Sequence, residues 1–360
     1  MLQCGSTPRA PGARDPGIRC ETDAVTVSDS WDMPLRTKLL ARALSRSRSS
    51  ERMQTADEIA RSRAWFAPTR LPYTWVTGAV PDGVAIGATS FRARDGHEVA
   101  VRTYRPPGTE GEVLPAMLWF HGGGWVLGNT RGYDPLCAWV ADRARVAVLN
   151  VDYRLAPEHR APRAAHDCVD AARWAASAGT TEGSLSGIWP TGLGLAGDSA
   201  GGNLAAVTAQ VLRAEGGADI AYEALVYPAV DATMSSPSVA QHAQAPILTR
   251  SDMDMFLGHY LGSEDDALDP LDPLVSPLHA KDLAGLPPTL VQTADLDPLR
   301  DEGAAYAEAL RAAGVDVRHT NYPRVPHGFM SFPGATRVGG AARSELVEWV
   351  ARHARPEVVG

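Results

Sequence analysis

Gly197-Asp198-Ser199-Ala200-Gly201 stands between an apolar run ending in Leu195-Ala196 and an alanine-rich stretch that begins at Gly202. A strand that passes straight into a helix forces a tight turn, and glycines on both sides of a serine remove side chains that would collide there. A serine hydroxyl is a weak nucleophile at neutral pH. It needs exposure, a base to take its proton, and backbone N–H groups to hold a developing oxyanion. The pentapeptide addresses the first and third needs. With 34 glycines in 360 residues the pattern alone decides little, so the flanking elements must supply a strand, a helix, a base and an acid.

Working outward, Leu204, Val207, Val211 and Leu212 recur at helical spacing after the serine. The serine therefore sits at a strand-to-helix turn. Upstream, Leu114 to Phe120 is a continuous apolar run, as expected of a strand buried on both faces. It leads into His121-Gly122-Gly123-Gly124-Trp125, where glycines just past a strand end let backbone N–H groups approach a ligand. His121 precedes these glycines and is expected to brace them. Residues 88 to 105 read as a hairpin turning at Asp95-Gly96, 133 to 144 as a helix, and Val146 to Val151 as another buried strand. The loop Asp152-Tyr153-Arg154-Leu155-Ala156-Pro157-Glu158 reads as a salt-bridged brace, followed by a helix over 167 to 176.

A strand is expected over Ala224 to Val230, then an insertion at 232 to 280 with a helix near Asp252 to Leu261. The alternation resumes with a strand over Thr289 to Thr293, ending in Ala294-Asp295-Leu296-Asp297-Pro298-Leu299-Arg300-Asp301-Glu302. An acid that must reach a histidine has to emerge just past the strand, and Asp297, held extended before Pro298, fits best; Asp295 is the runner-up. Asp301 and Glu302 are assigned to the N-terminus of the following helix. The last strand, Val315 to Tyr322, leads to the loop holding His327, and a closing helix spans about 341 to 353. Of ten histidines, His327 alone lies past the last strand on the edge of the serine turn. The chain order Ser199, Asp297, His327 is the one expected of a hydrolase with this topology.

Residues 1 to 30, rich in Pro, Gly, Arg and Thr, read as a disordered tail, with no apolar core for a secretory signal. A helix from about Pro34 places Leu35, Leu39, Leu40 and Ala43 on one stripe; a second, from Glu51 to Trp65, carries Met53 and Ile59. Ser45-Arg46-Ser47-Arg48-Ser49-Ser50 between them reads as a flexible link. The net charge of −8 argues against a nucleic-acid partner. No run has the length of a membrane span. The four cysteines lack metal-site spacing, so no metal or cofactor is expected and the cytoplasm is the expected location.

The chain resembles bacterial hormone-sensitive-lipase-like (family IV) carboxylesterases of the α/β-hydrolase fold. The resemblance rests on His121-Gly122-Gly123-Gly124-Trp125, the segment from Asp152 to Glu158, Gly197 to Leu204, Asp297 to Glu302 and His327-Gly328-Phe329, and covers about residues 35 to 354. It implies a mostly parallel central sheet flanked by helices, a helical cap from 31–85 plus 232–280, and a catalytic domain from 86–231 plus 281–360. It also implies Ser199, Asp297 and His327 as the catalytic residues and Gly123, Gly124 and Ala200 as oxyanion donors. Hydrolysis of short acyl esters without a metal follows. Trp125 and Asp198 are candidates for substrate contact, and a second copy of the chain, in a homodimer, is a candidate partner beside the small-molecule ester. Ala161-Pro162-Arg163 departs from the family's Phe-Pro-Ala type sequence, which touches a brace and no catalytic residue. An acyltransferase, amidase or lactonase built on the same three residues stays open, as does a non-catalytic receptor like the plant gibberellin receptors. Those receptors lack a working histidine, and His327 speaks against that last reading.

Overall fold

The computed structural model describes residues 31–47, 55–178, 188–262 and 267–354. The expectations for residues 1–30, for 48–50 of the serine-arginine link and for Met53 lie outside these. Three helices come first, α1 (Leu35–Ser47), α2 (Ala56–Ala64) and the single turn α3 (Thr74–Thr77). The hairpin follows as β1 (Ala85–Arg92) and β2 (Glu98–Arg105), then β3 (Leu114–Phe120), α4 (Asp134–Ala144) and β4 (Ala147–Val151). Next are α5 (Arg163–Ala178), β5 (Ile188–Asp198), α6 (Ala200–Glu215) and β6 (Tyr222–Val226). The chain ends with α7 (Pro237–Gln241), α8 (Arg250–Leu261), β7 (Thr289–Leu296), α9 (Arg300–Ala312), β8 (Val317–Pro326) and α10 (Arg337–His353).

The strands form one sheet in the order β1-β2-β4-β3-β5-β6-β7-β8. β2 pairs antiparallel with β1 and with β4, and the pairs from β4 to β8 are parallel. This is the α/β-hydrolase fold. The central strands read as unbroken apolar runs because helices cover both faces: Ala116 to Phe120 and Val148 to Val151 are buried throughout. Two packed clusters result, one holding Leu118, Phe120, Leu195, Leu204 and Val291, the other Met117, Trp119, Val148, Val226 and Leu346. Their members alternate along β3, as the pleat requires. Burial of each large apolar side chain contributes about 1.5–3 kcal/mol.

Several local readings change. β6 stops at Val226, short of the expected Val230, because Tyr227 takes a φ of 35° and Pro228 follows. β8 runs on to Pro326, beyond the expected Tyr322, and α10 begins at Arg337. α1 is a helix, but its leucine stripe faces outward: Leu35 is 70% exposed, whereas Thr37 and Ala41 are buried. Thr37 Oγ1 donates to Ala335 O at 3.0 Å, so this contact sets the inward face. Among the described residues no helix is long and apolar enough to cross a membrane.

Candidate active site

Sheet register assembles the site. Phe120 lies opposite Gly197, which brings the glycine loop after β3 beside the serine turn after β5. Leu296 lies opposite Pro326, so the next residues, Asp297 and His327, leave adjacent strands at the same level. Ser199 sits between β5 and α6 with φ 55° and ψ −121°, a conformation a non-glycine residue holds only when its surroundings enforce it. Its N–H donates to Val226 O at 2.9 Å, and its carbonyl accepts from Ala229 N–H at 3.2 Å. Gly201 is required by close approach: a Cβ there would lie 1.9 Å from Phe120 O.

His327 Nδ1 is 2.7 Å from Asp297 Oδ2, and Nε2 is 2.9 Å from Ser199 Oγ. The other Asp297 oxygen accepts the Leu299 N–H at 2.9 Å, so a fully buried carboxylate is fixed from two sides. With Asp297 ionised, Nδ1 carries the proton and Nε2 accepts from the serine hydroxyl. The Tyr227 ring packs 4.7 Å from the imidazole, centroid to centroid. The structure thus brings Ser199, His327 and Asp297 into one hydrogen-bonded line. Asp295 stands aside, its Oδ2 accepting the Arg324 N–H.

The glycine loop faces the same serine. Gly123 and Gly124 have φ of 127° and 61°, and among the described residues neither amide is spent on another acceptor. Gly124 has to be glycine for a second reason: a Cβ would lie 2.3 Å from the Phe256 ring of α8. Trp125, φ 58°, stacks on Tyr260 of α8 at 4.4 Å with 3° between the rings. A small cavity of about 40 Å³ opens on Ser199 and Ala200, walled by Gly124, Trp125, Met253, Phe256 and Leu257 among others. His121 is buried behind the loop with Nδ1 2.9 Å from Gly122 O.

Asp198 is placed away from that cavity's wall. Its Oδ1 accepts the Gly122 N–H at 2.9 Å and its Oδ2 the Tyr133 hydroxyl at 3.0 Å. Burial pushes its carboxyl up to about 6, against these bonds and the nearby His327, which favour the ionised form. Arg154 pairs with Asp167 and Asp95, and Arg63 with Glu158, so the loop after β4 is braced by ion pairs. Glu302 lies in the first turn of α9, as expected, but it does more than sit at a helix end. It is fully buried, stands in the wall of the serine cavity, and its Oε1 accepts the N–H groups of Val230 and Asp231 at 2.8 and 3.2 Å. Burial pushes its carboxyl well above the usual range. The signal for this was its i, i+4, i+8 spacing with Tyr306 and Leu310 on the buried stripe of α9. Among the described residues no group of three or more His, Cys, Asp or Glu is placed to hold a metal ion.

The family described as alpha/beta hydrolase fold matches residues 117–331. Carboxylesterase NlhH of Mycobacterium tuberculosis is 41% identical over 253 residues, 69% of this chain and 78% of its own. The carboxylic ester hydrolase LipN of the same organism is 41% identical over 262 residues, 71% of this chain and 67% of its own. Among solved structures, the ester-hydrolase EH1AB1 from the metagenome of Lake Arreo, complexed with a derivative of bipyridine phosphonate, aligns with a TM-score of 0.80. It is 32% identical and the match covers 89% of this chain and 99% of that one.

Proposed function

The chain belongs to the alpha/beta hydrolase fold family as a hormone-sensitive-lipase-like carboxylesterase of small-molecule esters, and from that premise we propose that Ser199 is its nucleophile, His327 its base and Asp297 the acid that orients the base. The observation that carries the assignment is the continuous line from Ser199 Oγ to His327 Nε2 and from Nδ1 to Asp297. His327 takes the serine proton as Oγ attacks the ester carbonyl, and Asp297 stabilises the imidazolium that forms. The oxyanion is held by the N–H groups of Gly123, Gly124 and Ala200, each contributing about 3 kcal/mol in a dry site. His327 returns the proton to the departing alkoxide, leaving a serine ester. Water, deprotonated by the same histidine, then attacks that ester; the acid leaves and Ser199 regains its proton.

The acyl group is short in this reading. A cavity of about 40 Å³ admits about three water-sized groups, which suits acetyl to butyryl chains. The roof is α8, whose Phe256 and Tyr260 lie against Gly124 and Trp125, and this supports 232–280, with the helices of 31–85, as a cap. Asp198 acts through the glycine loop in place of touching the substrate. The buried free thiols Cys137 and Cys168 support a reducing, cytoplasmic location.

The test is a chain-length panel on the purified enzyme together with labelling by a fluorophosphonate. Hydrolysis of p-nitrophenyl acetate or butyrate is expected to exceed that of the palmitate, with label on Ser199 and activity lost in Ser199→Ala. Turnover retained by that variant would remove Ser199 from the role.

A further inference from the structure

A second and larger cavity, about 610 Å³, lies between the N-terminal helices and the loops that follow β3 and β8. Neither Ser199 nor His327 lines it. Trp65, Phe66, Leu127, Leu136 and Phe332 give it apolar walls, and Arg343 of α10 stands among them. Arg343 is 4% exposed. Its Nε donates to Met330 O at 3.0 Å and its Nη2 to Thr77 O at 3.2 Å, and among the described residues no carboxylate pairs with it. Arg102 and Arg154 are less deeply buried, yet each has a carboxylate, Asp134 at 2.6 Å and Asp167 at 2.5 Å. A buried guanidinium without an anion is costly to keep in a folded chain. Burial pulls Arg343 down to about 10, which leaves it charged at neutral pH. The backbone makes room for it: a side chain at Gly78 would come within 3.1 Å of Nη1.

We propose that this cavity binds an amphipathic monocarboxylate, its apolar body against the aromatic walls and its carboxylate on Arg343. Two further charged groups line the wall, the exposed Arg61 and Glu58, which accepts from the Thr55 N–H and hydroxyl; with Arg343 they leave the wall net positive. A guanidinium offers a carboxylate two parallel donors, so the site selects a planar anion over a neutral polar group. The carboxylate can arrive in two ways, as a free acid or as part of the alcohol half of an ester. The walls touch the catalytic loops in either case: Tyr133 bonds Asp198, and Phe332 follows the His327 turn.

The experiment is calorimetric titration of 4-phenylbutyrate, with 4-phenylbutan-1-ol as its uncharged counterpart, into wild-type protein and Arg343→Gln. The acid is expected to bind the wild type at least tenfold more tightly than the alcohol, and at least tenfold more tightly than it binds the variant. Equal affinity for acid and alcohol, or no saturable binding of the acid, would overturn the proposal. The wild-type comparison stands even if Arg343→Gln loses its fold, since Arg343 also ties α10 to Thr77. A kinetic arm separates the sources. A lower KM for acetate esters whose alcohol half carries a carboxylate, relative to the matching primary amide, assigns the cavity to the leaving group; inhibition by the free acid without that advantage assigns it to the acid. Hydrolysis of p-nitrophenyl acetate, which has no carboxylate, tests the esterase assignment independently.

Discussion

The Gly122 main-chain amide donates to the Asp198 carboxylate at 2.9 Å, so the loop presenting the Gly123 and Gly124 amides is moored to the residue before Ser199. The Tyr133 hydroxyl completes the mooring, accepting from Gly122 N–H at 2.8 Å and donating to Asp198 at 3.0 Å. Asp198→Ala strands buried donors and frees the loop. Since losing one oxyanion donor costs about 10²–10³ in kcat, a fall of about a hundredfold with KM nearly unchanged is expected. Asp198→Asn keeps an acceptor for Gly122 and should lose about tenfold. Wild-type kcat on p-nitrophenyl butyrate in the alanine variant would refute the mooring.

Gly124 and Phe256 form a second coupled pair. Gly124→Ala should displace an oxyanion donor and so reduce kcat/KM by about a hundredfold or more, because its Cβ would lie 2.3 Å from the ring. Adding Phe256→Ala should restore part of the loss, the φ of 61° leaving the remainder. A double-mutant cycle measures this; additive effects would mean that the ring and the loop are uncoupled.

Leu257 lines the serine cavity and is half-buried. Leu257→Ala should move the preferred acyl chain from acetate and butyrate toward hexanoate and octanoate. Rates across p-nitrophenyl esters report it, and an unchanged profile would place the acyl chain elsewhere.

Glu223 gives a test of pH-dependent stability away from the chemistry. It is fully buried, accepts from Thr289 Oγ1 at 3.2 Å, and burial pushes its carboxyl from 4.5 up to about 8. Between those values the folded chain holds a proton that the unfolded chain has lost. Its favourable contribution is complete below 4.5 and is lost as pH rises through about 8. Glu223→Gln cannot ionise, so its stability relative to wild type should grow from pH 5 to pH 9 in urea unfolding. A difference independent of pH would show that Glu223 titrates normally.

Much of this molecule is legible in its sequence because the central strands are buried on both faces and so appear as uninterrupted apolar runs. Leu114 to Phe120 is the clearest, with the same limits read from sequence and found in the structure. The turn at Ser199 is legible for a related reason: the helix after it starts so close to β3 that a Cβ on Gly201 would lie 1.9 Å from the Phe120 carbonyl oxygen, so glycine is required there. What was hidden depends on neighbours distant in the chain. The inward face of α1 follows from Thr37 meeting Ala335, and Glu302 is buried because Val230 and Asp231 present free amides to it. The short α7 carries too few residues to show a period.

The register that sets Leu296 opposite Pro326 also ties the three proposed catalytic residues to the completion of the sheet. His327 stands 128 residues from Ser199 and 30 from Asp297, and each of the three leaves the end of a different strand. The three therefore come together only when β5, β6, β7 and β8 are all paired in register. Such long-range pairings pay their loop-closure entropy before any contact repays it, which makes them late and slow. With His327 as the proposed base, catalytic activity in a refolding chain is expected to return only once β8 has docked on β7, the outermost pairing of the parallel sheet.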